Sequence, residues 1–265
     1  MDRLLLVIST FCFLFGFAYT MHALGARVYR HAPLNLFAII SGFAFQTAFL
    51  YVRGERLGRC PLTNLFEVLI FLSWSMVLFY LLIGPAYRLS LLGAFTSPLV
   101  FIFQVGALVV PGLDVVTKAH GAPNPWLELH AAVSVVAYGA FALACVAGVM
   151  YLAQERQLKT HHIHSIFYHL PPIHDLAIAN RRLVLTGFIL LSVGLVAGFA
   201  MGNVQAHLVK ILWSSGVWLL YAFILLAILR HRMSGRRVAW FSVAAFSLVL
   251  CTLWGLTFIP ERPSL

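Results

Sequence analysis

Asn124-Pro125-Trp126-Leu127-Glu128-Leu129-His130-Ala131-Ala132-Val133 opens an apolar run that continues to about Leu152. A run of that length crosses the hydrocarbon of a bilayer as a helix. Asn124 and Pro125 read as N-cap and first helical residue, which sets His130 about one and a half turns inside the helix. Trp126 lies four residues earlier on the same face. An imidazole near the lip of a membrane helix is costly to desolvate, so His130 is a functional-site candidate.

The rest of the chain repeats the pattern. Of 265 residues, 62% are hydrophobic and only 10% charged, whereas a soluble domain carries about a quarter charged residues. Apolar runs recur at 4–24, 33–52, 64–84, 89–111, 126–153, 183–201, 209–229 and 238–259. The expected fold is therefore all-α, a polytopic integral membrane protein with about eight transmembrane helices, in one domain over 1–265. The first run has no small-residue cleavage signature and reads as a retained helix.

A formal charge of +10 could suggest a nucleic-acid partner, but the distribution of charge explains it without one. Lys and Arg in alternate connecting segments total eleven on one side of the membrane and seven on the other. The richer side is expected in the cytoplasm, with both termini outside. The bias is strongest at Arg230-His231-Arg232-Met233-Ser234-Gly235-Arg236-Arg237 and is opposed by Arg53, Arg56 and Arg59. No nucleic-acid partner is expected. The bilayer is the partner that composition demands.

Four cysteines, Cys12, Cys60, Cys145 and Cys251, form no C-x-x-C pair and no C-x-x-C-H haem attachment site. Only Cys60 lies outside the spans. No bond-making constellation is visible, so a binding role is expected before an enzymatic one.

The segment 154–182 carries His161, His162, His164, His169 and His174. These imidazoles could take a transition metal, although closed sites usually add Cys or carboxylate ligands. The simpler reading is a polar cytoplasmic loop, whose C-terminal half is expected to form an interfacial helix leading into the sixth span. Asn64 and Glu67 resemble a capping box at the start of the third span. A proton-relay role for Glu67 would need further intramembrane carboxylates.

Trp126, Trp213, Trp218, Trp240 and Trp254 all fall near span ends, as an aromatic belt requires. Trp126 and Trp213 also share the outer side with His130. Porphyrins pack well on aromatic rings, and a haem iron takes an axial imidazole. His207, in the outer loop before the seventh span, is a second candidate imidazole, and Lys210 could pair with a haem propionate.

Several segments resemble the cytochrome c assembly family of haem-handling membrane proteins, of the CcsA/CcmC type, and most of all its HemX/YpjD-like branch. They are Gly58-Arg59-Cys60-Pro61-Leu62-Thr63-Asn64-Leu65-Phe66-Glu67, Leu129-His130 with Tyr138-Gly139, Leu170-Pro171-Pro172 with Asn180-Arg181-Arg182, and Gly235 to Phe241. The resemblance covers most of the chain. It implies an eight-helix fold in a bacterial inner membrane, haem on the outer face, and other cytochrome c maturation proteins as partners. It assigns His130 as axial ligand to the iron of a non-covalently held haem, of the b type. With that ligand, Trp126, Trp213 and Trp218 would form the wall of the site, while His207 as a further ligand and Lys210 beside a propionate rest on their place in the sequence and not on the resemblance.

The chain departs from the family in places. Gly202, Lys210, Trp213, Trp218 and Tyr221 keep the spacing of the tryptophan-rich outer loop, but its tryptophans and aspartate are missing from 201–210. His207 stands where the last of those tryptophans would be, and Leu226 where a further histidine is expected. A haem-free structural or regulatory membrane subunit of the same fold is the alternative that these departures keep open.

Overall fold

The computed structural model describes residues 2–25, 33–84, 90–114, 125–160, 172–200, 208–230 and 233–257. Among them are eight helices: α1 (Asp2–Gly25), α2 (Pro33–Leu57), α3 (Leu65–Ile83), α4 (Ser90–Val109), α5 (Pro125–Thr160), α6 (Ile173–Ala200), α7 (Leu208–Leu229) and α8 (Gly235–Thr257). Seven, α1 to α7, are long and apolar enough to cross a membrane. α8 packs along α5 beside them. The protein is an all-helical polytopic membrane protein.

α5 is the hub. Of its apolar window 78% is buried, against 28% for α7, and it packs on α3, α4, α6 and α8. Its tightest partner is α6, and the reason lies in the order of small residues. Gly198 of α6 faces His130 of α5, Gly194 faces Ser134, Gly187 faces Phe141, and Asn180 faces Gly148. Each step of four or seven residues forward along α5 is matched by the same step backward along α6. The two helices therefore run antiparallel in one fixed register, with a small residue at every rung. A Cβ on Gly187 would lie 2.5 Å from Phe141 Cε1, and one on Gly194 would lie 2.6 Å from Ser134 Oγ. Close approach through small residues is the usual way membrane helices gain dispersion contacts, because lipid offers no hydrophobic drive for pairing. On α5's other side Gly139 does the same against Ser75 of α3.

Polar side chains tie the remaining helices. Thr10 Oγ1 donates to Gln104 Oε1 at 2.8 Å, and Ser9 Oγ donates to the Gly42 carbonyl at 2.8 Å, linking α1 to α4 and α2. Gln46 Nε2 donates to the Ile70 carbonyl at 2.9 Å, joining α2 to α3. Asn180 Nδ2 donates to the Ala144 carbonyl at 2.7 Å while its Oδ1 accepts from Ser242 Oγ at 3.1 Å, so one amide joins α5, α6 and α8. These groups make interhelical bonds.

Three boundaries differ from the sequence expectation by five residues or more, and the first is α2, which continues past 52 to Leu57 and so carries Arg53 and Arg56 on the helix. α5 continues past 153 to Thr160, and α6 begins at Ile173 instead of 183. The expected separate interfacial helix is the first part of α6, continuous with the span. At 36 residues α5 is roughly 54 Å long, well beyond the ~30 Å of hydrocarbon. Polar residues on the overhang read as loop in a hydropathy pattern although the helix does not stop.

Candidate functional site

The N-terminal ends of α1, α3 and α5 and the C-terminal ends of α2, α4 and α6 share one end of the bundle, and Arg53 is its electrostatic centre. Its guanidinium, with 12% of the side chain exposed, donates through Nε to Glu67 Oε1 at 2.9 Å. It also pairs through Nη2 with Asp114, and Nη1 lies 3.7 Å from Asp2 Oδ2. Arg56 reaches Asp2 at 2.9 Å, and Arg3 reaches Asp114 at 2.8 Å. One side chain thus joins the start of α1, the end of α2, the start of α3 and the turn after α4.

Asn64 caps α3 as expected, but the side chain of fully buried Glu67 reaches back to Thr63 and not to the Asn64 N–H of a capping box. Asn64 accepts the Glu67 N–H at 2.9 Å, and Glu67 Oε2 accepts the N–H and Oγ1 hydroxyl of Thr63 at 2.8 Å each. The further carboxylates that the sequence reading did not place beside it are Asp2 and Asp114, brought there by Arg53.

His130 is partly buried at this end, and its setting has direct chemical meaning. Its Nδ1 lies 2.7 Å from the Gly194 carbonyl oxygen of α6. A carbonyl can only accept, so Nδ1 carries a proton, and in the neutral ring Nε2 holds the lone pair. Histidine ligands to metals are commonly oriented by this kind of bond from the other ring nitrogen. The donor chemistry therefore fits an axial ligand for haem iron.

The other predicted residues are distributed as follows. Trp126 stands one turn before His130 on α5 and is half exposed, with Leu127 and Leu129 also exposed. Trp213 of α7 is partly buried and packs against the core. Trp218 is committed to helix packing: its Nε1 donates to Ser192 Oγ of α6 at 2.9 Å, and its ring lies 5.3 Å from that of Phe188. Lys210 is in the first turn of α7, and its side chain is outside the described part. His207 lies outside the described residues, as do His161, His162, His164 and His169. His174 is exposed at the start of α6. Among the described residues no three His, Cys, Asp or Glu side chains gather as metal ligands.

The cysteines are unpaired. Cys60, expected to be the exposed one, is half-buried in the turn between α2 and α3, whereas Cys251 is exposed on α8. Burial pushes the Cys60 thiol up from its ordinary pKa, and the Glu128 and Glu67 carboxylates add to the shift.

Sequence reasoning missed Gly194, which supplies the carbonyl, and Arg53, which assembles the platform. The spacing of Gly187, Gly194 and Gly198 signals a small-residue helix face without saying what packs on it.

Fold and site together define a polytopic helical membrane protein that presents an imidazole of fixed tautomer at one end, with exposed apolar side chains on the same helix. Residues 62–262 match the family described as Cytochrome C assembly protein, and the chain belongs to that family. It is 28% identical over 220 residues to protein HemX of Brevibacillus brevis, covering 81% of each chain. It is 27% identical over 237 residues to the cytochrome c biogenesis protein CcsA of Guillardia theta, covering 80% of this chain and 78% of that one. It is also 27% identical over 229 residues to CcsA of Prochlorococcus marinus, covering 76% and 73%. Membership supports a role in cytochrome c biogenesis.

Proposed function

We propose that the protein handles haem in c-type cytochrome biogenesis, and that Nε2 of His130 holds the haem iron at the outer face of the bacterial inner membrane. The observation that carries this reading is the hydrogen bond from Nδ1–H of His130 to the Gly194 carbonyl. It commits the ring to the tautomer that a metal ligand needs and raises the basicity of Nε2. When bound, haem would supply an iron that a neutral imidazole can hold. The chain's own part is to orient that imidazole and to offer apolar surface. Trp126 and Trp213 contribute the wall, Trp218 braces α7 against α6, Lys210 neutralises a propionate and His207 is a second ligand. The haem is of the b type and non-covalent, in keeping with the absence of a C-x-x-C-H site. Other cytochrome c maturation proteins are the partners of this single membrane domain.

The charges support the outer placement. Among the described residues, the end that holds Arg181 carries seven Lys or Arg, and the His130 end carries five. The richer end belongs in the cytoplasm, which leaves His130 and both termini outside.

The reading is tested by purifying the protein from haem-replete cells and recording its visible spectrum. A Soret band that is lost in a folded His130→Ala variant supports it. A colourless protein that takes up no added haem favours the alternative, a haem-free subunit of the same fold. His207→Ala asks separately about the second ligand, and unchanged Soret and ligand-field bands would remove His207 from the site.

A further inference from the structure

Gly194 and Gly198 stand one helical turn apart on α6, so within the helix the Gly194 carbonyl is the acceptor for the Gly198 N–H. The same carbonyl takes Nδ1–H of His130 at 2.7 Å. The imidazole therefore lies against the backbone of α6, where residue 198 would project a side chain. A Cβ there would stand 2.8 Å from Nδ1 and 3.1 Å from Cε1 of His130. Relief by turning the ring away would break the Nδ1–H bond, so a side chain at 198 and the bond at 194 exclude each other. The other two glycines of the seam face different groups: Gly194 faces the Ser134 hydroxyl and Gly187 the Phe141 ring. All three let α5 and α6 approach. Only at Gly198 would an added Cβ meet the imidazole.

We propose that Gly198 is a positioning residue for His130: its missing Cβ seats the imidazole on the Gly194 carbonyl and so fixes which ring nitrogen is free to bind iron. The assignment of iron as the occupant rests on the function proposed above, whereas the control of the tautomer does not. This separates two consequences of a glycine-rich helix face that are easily merged, close helix packing and the chemical state of a ligand.

The test compares Gly198→Ala with Gly187→Ala, which loads the same seam at a rung away from the imidazole. Histidine-labelled protein is studied by 15N NMR at about pH 8, where an ordinary imidazole is neutral. The His130 signal is assigned by its loss in His130→Gln. The wild-type ring is expected as the Nδ1–H tautomer. Gly198→Ala loses that tautomer and weakens haem uptake about 10–100-fold, the usual effect of removing an outer-shell partner. Gly187→Ala keeps both. If Gly198→Ala does not assemble, His130→Gly/Gly198→Ala removes the ring that the new Cβ strikes, and folding returns.

An Nε2–H tautomer in the wild type overturns the proposal. So does an unchanged tautomer in Gly198→Ala, or an equal change in Gly187→Ala, or a double variant no better folded than an unassembled single one. Should the tautomer move only in Gly198→Ala while the wild type takes up no haem, the positioning role stands and the haem function falls.

Discussion

Replacing Arg53 by Ala removes the one cation that Asp2, Glu67 and Asp114 share. Glu67 suffers most, because its side chain is 0% exposed and Arg53 is the cation bonded to it. Thr63 still donates two hydrogen bonds to Oε2, but Oε1 would face a buried environment with no counter-charge. Breaking a buried ion pair from one side costs about 3–5 kcal/mol, more than the pair is worth against an apolar substitute. Arg56 is the internal comparison. It also pairs with Asp2, at 2.9 Å, but 54% of its side chain is exposed. Solvent screening discounts that pair to about 0–1 kcal/mol. Thermal unfolding of Arg53→Ala and Arg56→Ala in one detergent, followed by circular dichroism, should therefore show a large loss for the first and a small one for the second. Arg53→Met/Glu67→Gln should recover part of the loss, because the double change removes the stranded charge along with its partner. Equal melting of the two single variants would refute the view of Arg53 as a buried clamp.

Two other tests concern packing and the turn between α2 and α3. Gly139→Ala puts a Cβ 2.4 Å from Ser75 Cβ and 3.0 Å from its backbone carbon, whereas a Cβ on Gly106 meets nothing within 4 Å. The first should cost about 1–3 kcal/mol by overpacking, the second should be neutral or stabilise by about 0.4–1 kcal/mol, and detergent melts of the pair check the contrast. Cys60 has a raised pKa, so its thiol stays protonated through neutral pH and the reactive thiolate appears only at more alkaline pH. Alkylation rates measured against pH in a variant retaining Cys60 as its sole cysteine should rise later than for a free thiol. A profile matching the free thiol contradicts the burial of Cys60.

The helices were legible because each span is an apolar run of bilayer length, and the cap at Asn64 because its partner is three residues away. Arg53 was not. Its partners lie 14 and 61 residues off in the chain, and nothing local says that an arginine in the last turns of α2 meets carboxylates from three other elements. The overhangs of α5 and α6 escaped for a different reason: hydropathy marks the edge of the hydrocarbon and not the end of a helix. His130 was found as an imidazole too costly to place idly at a helix lip. What it does there depends on Gly194 and Gly198, and a glycine carries no side-chain signal of its own.

Whether His130 holds haem iron is decided by His130→Gly with and without added imidazole. Replacing the ligand by glycine leaves room for a free imidazole to take its place at the iron. A Soret band is expected in the wild type, with its loss in His130→Gly and its return when imidazole is added to the haem-supplied variant. A His130→Gly protein that keeps the wild-type spectrum without imidazole would contradict iron ligation by His130.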